Sequence, residues 1–599
     1  IFSHDELLQS FISKDAKSVC VFVRHEDYIS KVKCDSLISQ LNQIIDPYDF
    51  DEVHISGRVA GQAYYVNKMQ YEMLFFVGLS MVLILIFLAF TYKTFWGVWI
   101  PLSIVAISMI WIVGCIAMIG APINLTMTVL PSIMFVVGTS DVIHLISKYL
   151  ENLRNGLSKN ESIIKAYKEV GVATLLTSIT TATGFLSLMV INIEPIQEFG
   201  KYSALGVLLA FVLTYTLLPA LLYMSKTPEK LIQQEQKGTF WTKFLRKTFP
   251  IILRKPKLIG LAFVAVIGIS GIGMYQLESN NYLLDDIGED SSVKQDFNFL
   301  DEHFGGVRPF EMGITLKDTV NFNLHDDTVL NEIQRVETFL ENEYGVENLV
   351  SINKSILLAH RSFTGNVDTS VIHLSKKKKR KYLKMLRKRG KDYYSKYSNQ
   401  HITRVSGQLE DLGNIEITKR NQALEAFINQ NINTDLLEFK PTGTAHLIDQ
   451  NMHYMAKNLM LGLLIASVIV AIIMGFLYKS FRMVIIAVIP NLLPLLFVAG
   501  FMGFTQIDLK FSTAIIFTIA FGIAVEDTIH FMSKFKLELR KGKSKLYALK
   551  RTFLSTGRAI ILTSLILIAG FLLLIFSDFK GTYYIGVMIS LSLIFAVII

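Results

Sequence analysis

Charge is scarce in this chain. Asp, Glu, Lys and Arg make up 18% of its 599 residues, while hydrophobic types make up 51%. That excludes a disordered chain and an ordinary soluble protein of this length, and it fits a chain that crosses a membrane many times. Cysteine is nearly absent, with three residues, so no disulfide framework braces the fold. Cys115 lies in an apolar run, and Cys20 and Cys34 are read as free thiols, with a pairing of the two as the alternative. No secretory leader is visible. A Gly-x-x-x-x-Gly-Lys-Ser/Thr loop, a nucleophile elbow and a His-Glu-x-x-His helix are all missing, so neither ATP use nor bond chemistry is expected. Catalytic residues and cofactors are accordingly assigned as none, and the chain is not expected to be an enzyme. The net charge of +9 does not indicate a nucleic-acid partner. The basic residues lie mainly in short loops and in one tract, Lys376–Lys381, where membrane topology accounts for them.

Long apolar runs are plentiful. Eleven are long enough to cross a bilayer, at about 20 residues each: near 73–92, 96–119, 123–147, 172–192, 201–224, 257–276, 458–478, 483–505, 510–533, 559–577 and 582–599. Loops 148–170, 225–257 and 534–558 are rich in Lys and Arg and so are placed inside. Segments 1–70 and 278–456 then both fall outside.

The chain also repeats itself. Gly138-Thr-Ser-Asp141-Val-Ile-His144-Leu-Ile-Ser-Lys148-Tyr149 is answered by Ala524-Val-Glu526-Asp527-Thr-Ile-His530-Phe-Met-Ser-Lys534-Phe535, 386 positions later. In the same ungapped register Tyr92-Lys93 falls on Tyr478-Lys479, Thr177-Ser178 on Thr563-Ser564, Gly184-Phe185 on Gly570-Phe571 and Gly200 on Gly586. Polar residues and glycines in one register are hard to produce by chance from an apolar alphabet. The halves share one in–out order, which makes the repeat parallel. The expected class is an α-helical polytopic membrane protein of two parallel six-helix repeats, with α/β domains outside. The span at 257–277 heads the second repeat. Its counterpart would precede Ile1, so the first helix is expected to be missing from this chain.

The expected domains are 1–70 outside, 71–225 as the first bundle, 226–256 as an inner linker, 257–277 as a lone span, 278–456 outside and 457–599 as the second bundle. The outside segments read as split βαβ modules. Strands are expected at 16–24 and 52–56 around a helix at 29–45, and at 402–409 and 437–442 around a helix at 415–429. An earlier βαβ-like unit is expected over 310–351. Residues 355–400 are highly charged and expected to be partly helical. In the linker, Trp241, Phe244, Leu245 and Phe249 share one helical stripe opposite Lys243, Arg246 and Lys247, which predicts a helix lying on the inner membrane surface.

Ionisable groups at membrane depth are costly and usually functional. A carboxylate in low dielectric tends to keep its proton, and a nearby cation or water path reverses that. Asp141, Asp527, Glu526, His144 and His530 are therefore candidate proton carriers, and Thr177 and Thr563 on the following spans are candidate relay hydroxyls. Asp141 and Asp527 are expected to approach each other, with the histidines one turn nearer the inner face. A simple interfacial role, with His144 and Lys148 reaching headgroups, is the alternative. A metal site of two Asp and two His is set aside, because the motif continues into lysine rather than further ligands. No metal is assigned.

The run Phe521-Gly-Ile-Ala-Val-Glu-Asp-Thr-Ile-His-Phe-Met-Ser-Lys-Phe535 resembles the signature of the resistance–nodulation–division superfamily, in its MMPL-like branch with hopanoid transporters and sterol-sensing-domain proteins. That resemblance covers essentially the whole chain. It implies porter-like outside domains and a bacterial inner membrane. It also implies export of lipids or amphiphiles driven by proton motive force, with a second copy of the chain or a periplasmic carrier protein as candidate partners. On it, Asp141 falls at the fourth-span acid, and Asp527 with Glu526 at the tenth-span acid. The chain departs from the pattern in having Ser140-Asp141 where paired acids are common, and in lacking the tenth-span lysine of drug-efflux members. A lipid-responsive receptor and a protein-translocation accessory motor are the other functions hosted by this fold. An apolar groove in the outside domain is expected for a lipid route.

Overall fold

The computed structural model describes residues 11–13, 15–26, 29–121, 124–227, 240–365, 371–389 and 401–599. Residues 228–239 of the expected linker and 390–400 of the charged segment lie outside the described residues. The chain divides into two compact units: residues 1–66 with 280–453, and residues 67–279 with 454–599.

Eleven described helices are long and apolar enough to cross a membrane: Arg58–Tyr92, Phe95–Ile119, Thr126–Arg154, Lys159–Val190, Glu194–Met224, Pro256–Tyr275, Gly443–Tyr478, Phe481–Phe504, Ser512–Arg540, Lys545–Phe576 and Lys580–Ile598. Several run well past the predicted apolar cores, because polar residues at a helix end continue the backbone hydrogen-bond ladder at no cost when they face water. Two of the eleven are central. The apolar window of Thr126–Arg154 is 100% buried and that of Ser512–Arg540 is 83% buried, against 11% for Pro256–Tyr275. In a bilayer, polar side chains draw a helix into the bundle interior, and these two, which carry the repeated acid motif, have mean hydropathies of 1.8 and 1.6 against 2.9 for the largely exposed Arg58–Tyr92.

The repeat extends to backbone detail. Lys93 and Lys479 have φ of 51° and 52°, and Gly156 and Gly542 have φ of 83° and 75°. Ser158 and Ser544 cap the helices that follow, accepting from Glu161 N and Tyr547 N. A Cβ on Gly200 would lie 2.6 Å from Phe185 O, and one on Gly586 would lie 2.7 Å from Phe571 O. These are equivalent positions making equivalent contacts, so glycine is needed twice for the same close approach.

Each central helix is also crossed by a helix of the other half. A Cβ on Gly184 would meet Gly522 Cα at 3.0 Å, and Thr181 Oγ1 donates to Gly522 O at 3.1 Å. The counterpart contact sets Gly570 against Val136, whose Cγ2 would lie 2.2 Å from an added Cβ. Small residues at such crossings let helices pack closely where no hydrophobic effect drives them together. The linker helix, Phe240–Arg254, corrects the surface-helix expectation in part. Leu245 and Phe249 are buried, Phe249 meets Phe553 at 5.3 Å, and Leu245 lies beside Gly557, so half the apolar stripe packs on the helix Lys545–Leu572. Phe244 stays exposed.

The other unit is built on a four-stranded antiparallel sheet of order β2-β3-β1-β4: β1 Arg308–Leu316, β2 Glu347–Val350, β3 Ile402–Leu409 and β4 Leu437–Thr442. Strand β1 alternates buried and less buried side chains, so one face is committed to the core. Helices Asp327–Phe339 and Gly413–Asn431 complete two crossed βαβ units, and their Phe339 and Phe427 stack at 4.4 Å. This is a split βαβ arrangement. The basic tract forms the helix Lys376–Arg389. It is anchored by buried Tyr382 and Leu383 and by Lys379, whose Nζ meets Asp327 Oδ1 at 2.6 Å. The helix expected at 29–45 is found at Lys31–Ile45, but the strands expected at 16–24 and 52–56 are not. Among the described residues of this segment, an isolated bridge from Ile12 to Val19 is the β pairing present. Alternation marks a residue's fitness for a sheet, and a strand forms only where a partner edge pairs with it.

Candidate functional site

The two central helices, Leu130–Arg154 and Phe511–Arg540, bring equivalent residues face to face. Ser140 Oγ donates to Glu526 Oε1 at 2.5 Å across 386 residues. One turn on, the rings of His144 and His530 stack at 3.9 Å with 14° between their planes. Positions four apart share a helix face, so one stripe of each helix makes both contacts. Ser140, His144, Glu526 and His530 are all at least 95% buried.

Asp141 and Asp527 lie one position off that stripe, a rotation of about 100°. Each turns to a serine of its own half: Ser178 Oγ donates to Asp141 Oδ2 at 2.9 Å, and Ser564 Oγ donates to Asp527 Oδ2 at 3.1 Å. The hydrogen bond between halves at this point is made by their neighbours, Ser140 and Glu526, and Asp141 lies close enough to Glu526 to act on its charge. The two threonines named as relay hydroxyls differ. Thr177 Oγ1 donates to Thr174 O and also lies within hydrogen-bonding reach of Asp141, whereas Thr563 Oγ1 donates to Ala559 O and Ile560 O of its own helix. The serines beside them hold the carboxylates, and their recurrence in the repeat was the signal that marks them.

The motif lysines are not extended to the surface. Lys148 is buried and pairs with Glu151 at 3.0 Å and Glu169 at 2.8 Å, while Lys534 pairs with Glu538 at 3.2 Å. Thr528 Oγ1 donates to buried Asn491 at 2.8 Å, a contact that nothing in the repeat announces. A cavity of about 280 Å³ reaches the stacked imidazoles, with Lys148, Lys534, Glu169 and Arg558 also in its wall. Carboxylates, imidazoles and hydroxyls in one buried cluster beside a cavity can accept, hold and pass protons. Ligand atoms of His144, Glu526 and His530 also lie within 4.8 Å of one another, which reopens the question of a metal.

The doubled bundle with its buried polar centre and attached α/β unit defines a polytopic helical membrane protein built on an internal repeat. Residues 1–257 and 392–599 match the MMPL family, and the chain belongs to that family. A membrane protein of Methanocaldococcus jannaschii is 32% identical over 126 residues, which are 21% of this chain and 32% of that protein. The membrane protein YdfJ of Bacillus subtilis is 28% identical over 136 residues, 22% of this chain and 19% of its own length. The sulfolipid-1 exporter MmpL8 of Mycobacterium tuberculosis is 25% identical over 211 residues, 34% of this chain and 18% of its own length. The chain therefore spans a third or less of each of these relatives.

Proposed function

We propose that this chain is an exporter of lipids or other amphiphilic molecules, driven by proton motive force across a bacterial inner membrane, with the α/β unit on the outer side. The observation that carries the reading is the buried centre of the bundle, where Ser140 meets Glu526 and His144 stacks on His530, flanked by Asp141 on Ser178 and Asp527 on Ser564. Proton loading of these acids changes the charge at the contact between halves, and so changes which packing of the two halves is preferred. The cavity beside the imidazoles offers protons a way out of the centre. A mycobacterial relative named as a sulfolipid exporter supports an amphiphilic substrate. Bond-making chemistry has no part in this reading.

The test is transport by the purified chain in proteoliposomes, reading the movement of a fluorescent phospholipid under an imposed pH gradient. Asp141→Asn, Asp527→Asn and Glu526→Gln keep side-chain shape and abolish proton exchange. Each is expected to remove gradient-dependent movement while the protein still elutes as a folded species. Parent-like rates in all three variants would sink the proton-relay reading.

A further inference from the structure

Two imidazole nitrogens at the centre of the bundle are unsatisfied. Nε2 of His144 and Nε2 of His530 are buried and have no hydrogen-bond partner. Each residue is 5% exposed, and Glu526 beside them is 4% exposed. A buried polar atom left unpaired costs free energy and calls for an explanation. The three side chains place one ligand atom each within 4.8 Å of the other two. A tetrahedral zinc ion, with bonds of about 2.0–2.2 Å, needs ligand atoms roughly 3.4 Å apart. Side-chain rotation of the order of an ångström closes that gap, and it splays the two rings from their near-parallel stack.

We propose that His144, His530 and Glu526 form a binding site for a divalent transition cation of the zinc class, held between the two repeats. Two imidazoles and a carboxylate are a donor set such ions take, with a fourth position open to water. Imidazole nitrogen selects against magnesium and calcium, which take oxygen. Ser140 donates to Glu526 Oε1, so the carboxylate is already oriented by a supporting hydrogen bond. The cavity that reaches both rings supplies a route and room for the water ligand. Lysine after each histidine argued against a metal in the sequence. In the fold those lysines turn to carboxylates, Lys148 to Glu151 and Glu169 and Lys534 to Glu538, which offsets their own charge, while Arg154 and Arg558 keep the cavity wall cationic. His144 comes from the first half and the other two ligands from the second, so a bound ion ties the halves together. The site rests on ligand geometry alone and stands whether or not the chain exports lipids.

The experiment is equilibrium binding of Zn²⁺ to the purified full chain in detergent, by competition with a chromogenic chelator, with Co²⁺ as a spectroscopic stand-in. One ion per chain is expected. His144→Ala, His530→Ala and Glu526→Gln should each weaken it by about tenfold or more, with visible Co²⁺ bands of a low-coordinate site in the parent only. Because an alanine variant can fail through misfolding, His530→Cys is the second probe. It keeps a ligand and should add a near-ultraviolet thiolate-to-cobalt charge-transfer band. No binding by the parent, unchanged affinity in the three variants, or a His530→Cys spectrum without that band would each overturn the proposal.

Discussion

Glu337 gives the α/β unit a predictable pH response. It sits at 2% exposure in the helix Asp327–Phe339. Asn353 Nδ2 donates to its Oε2 at 3.2 Å, and its Oε1 has no partner. Burial pushes the carboxyl up from 4.5 to about 7, against the smaller opposing pull of hydrogen bonds from Ser351 and Asn353. A group whose folded pKa is raised contributes its full stability below the unfolded value and loses it as pH rises through the folded one. Below pH 4.5 both states are protonated. Between 4.5 and about 7 the unfolded segment releases its proton while the folded one retains it, and stability declines. The whole decline is worth about 3 kcal/mol at 1.36 kcal/mol per pKa unit. Glu337→Gln fills the same space, carries no proton and should flatten that slope. Amide hydrogen exchange of residues 327–364 in the full chain, corrected for intrinsic rate, reads the local opening free energy. Between about pH 5 and pH 8 the parent should lose roughly 2–3 kcal/mol more than the variant. Equal slopes, or a parent that gains stability with pH, would refute the reasoning.

Two further outcomes concern packing and charge. Arg308 is 2% exposed and holds Asp411 at 3.0 Å and both oxygens of Asp449 at 2.5 and 2.6 Å. Arg308→Ala strands two carboxylates and should cost about 3–5 kcal/mol, read as faster proteolysis within 280–453 of the full chain. Arg308→Lys should recover only part, since an ammonium cannot reproduce the fork; a parent-like alanine variant would count against the buried network. A Cβ on Gly503 would lie 1.8 Å from Gly273 O, whereas one on Gly268 would meet nothing within 4 Å. Gly503→Ala should therefore lower the monodisperse yield on size exclusion and Gly268→Ala should not, and equal yields would contradict the close crossing.

What could be read from sequence followed from periodicity and from the repeat. Strands 402–409 and 437–442 appear with the expected bounds, because alternation there is paired on a real edge. The same kind of pattern at 16–24 and 52–56 has no described ladder, and pairing is a tertiary fact that local pattern does not contain. At the site, spacing placed Asp141 and His144 on one helix face, but Ser140 and His144 share a face equally well. Which of the two neighbours meets the other half depends on rotation about the helix axis. Crossings set that rotation: Gly184 on Gly522, Gly570 on Val136 and Thr181 on Gly522 O. None of these can be recovered from one sequence. The apolar stripe of the linker helix was visible as well, though not that Leu245 and Phe249 would pack on protein.

The pairing of Ser140 with Glu526 bears on why this bundle is one polypeptide. Two identical subunits related by a twofold axis can place only like beside like on that axis: two acids, which repel and resist common ionisation, or two hydroxyls, which carry no charge to exchange. Joining the halves in one chain frees the two positions to diverge. The first half keeps a donor and the second takes an acid, while His144 and His530 remain matched one turn away. A homodimer rebuilt from either half alone would therefore lose the unlike contact at its centre even if every helix packed correctly.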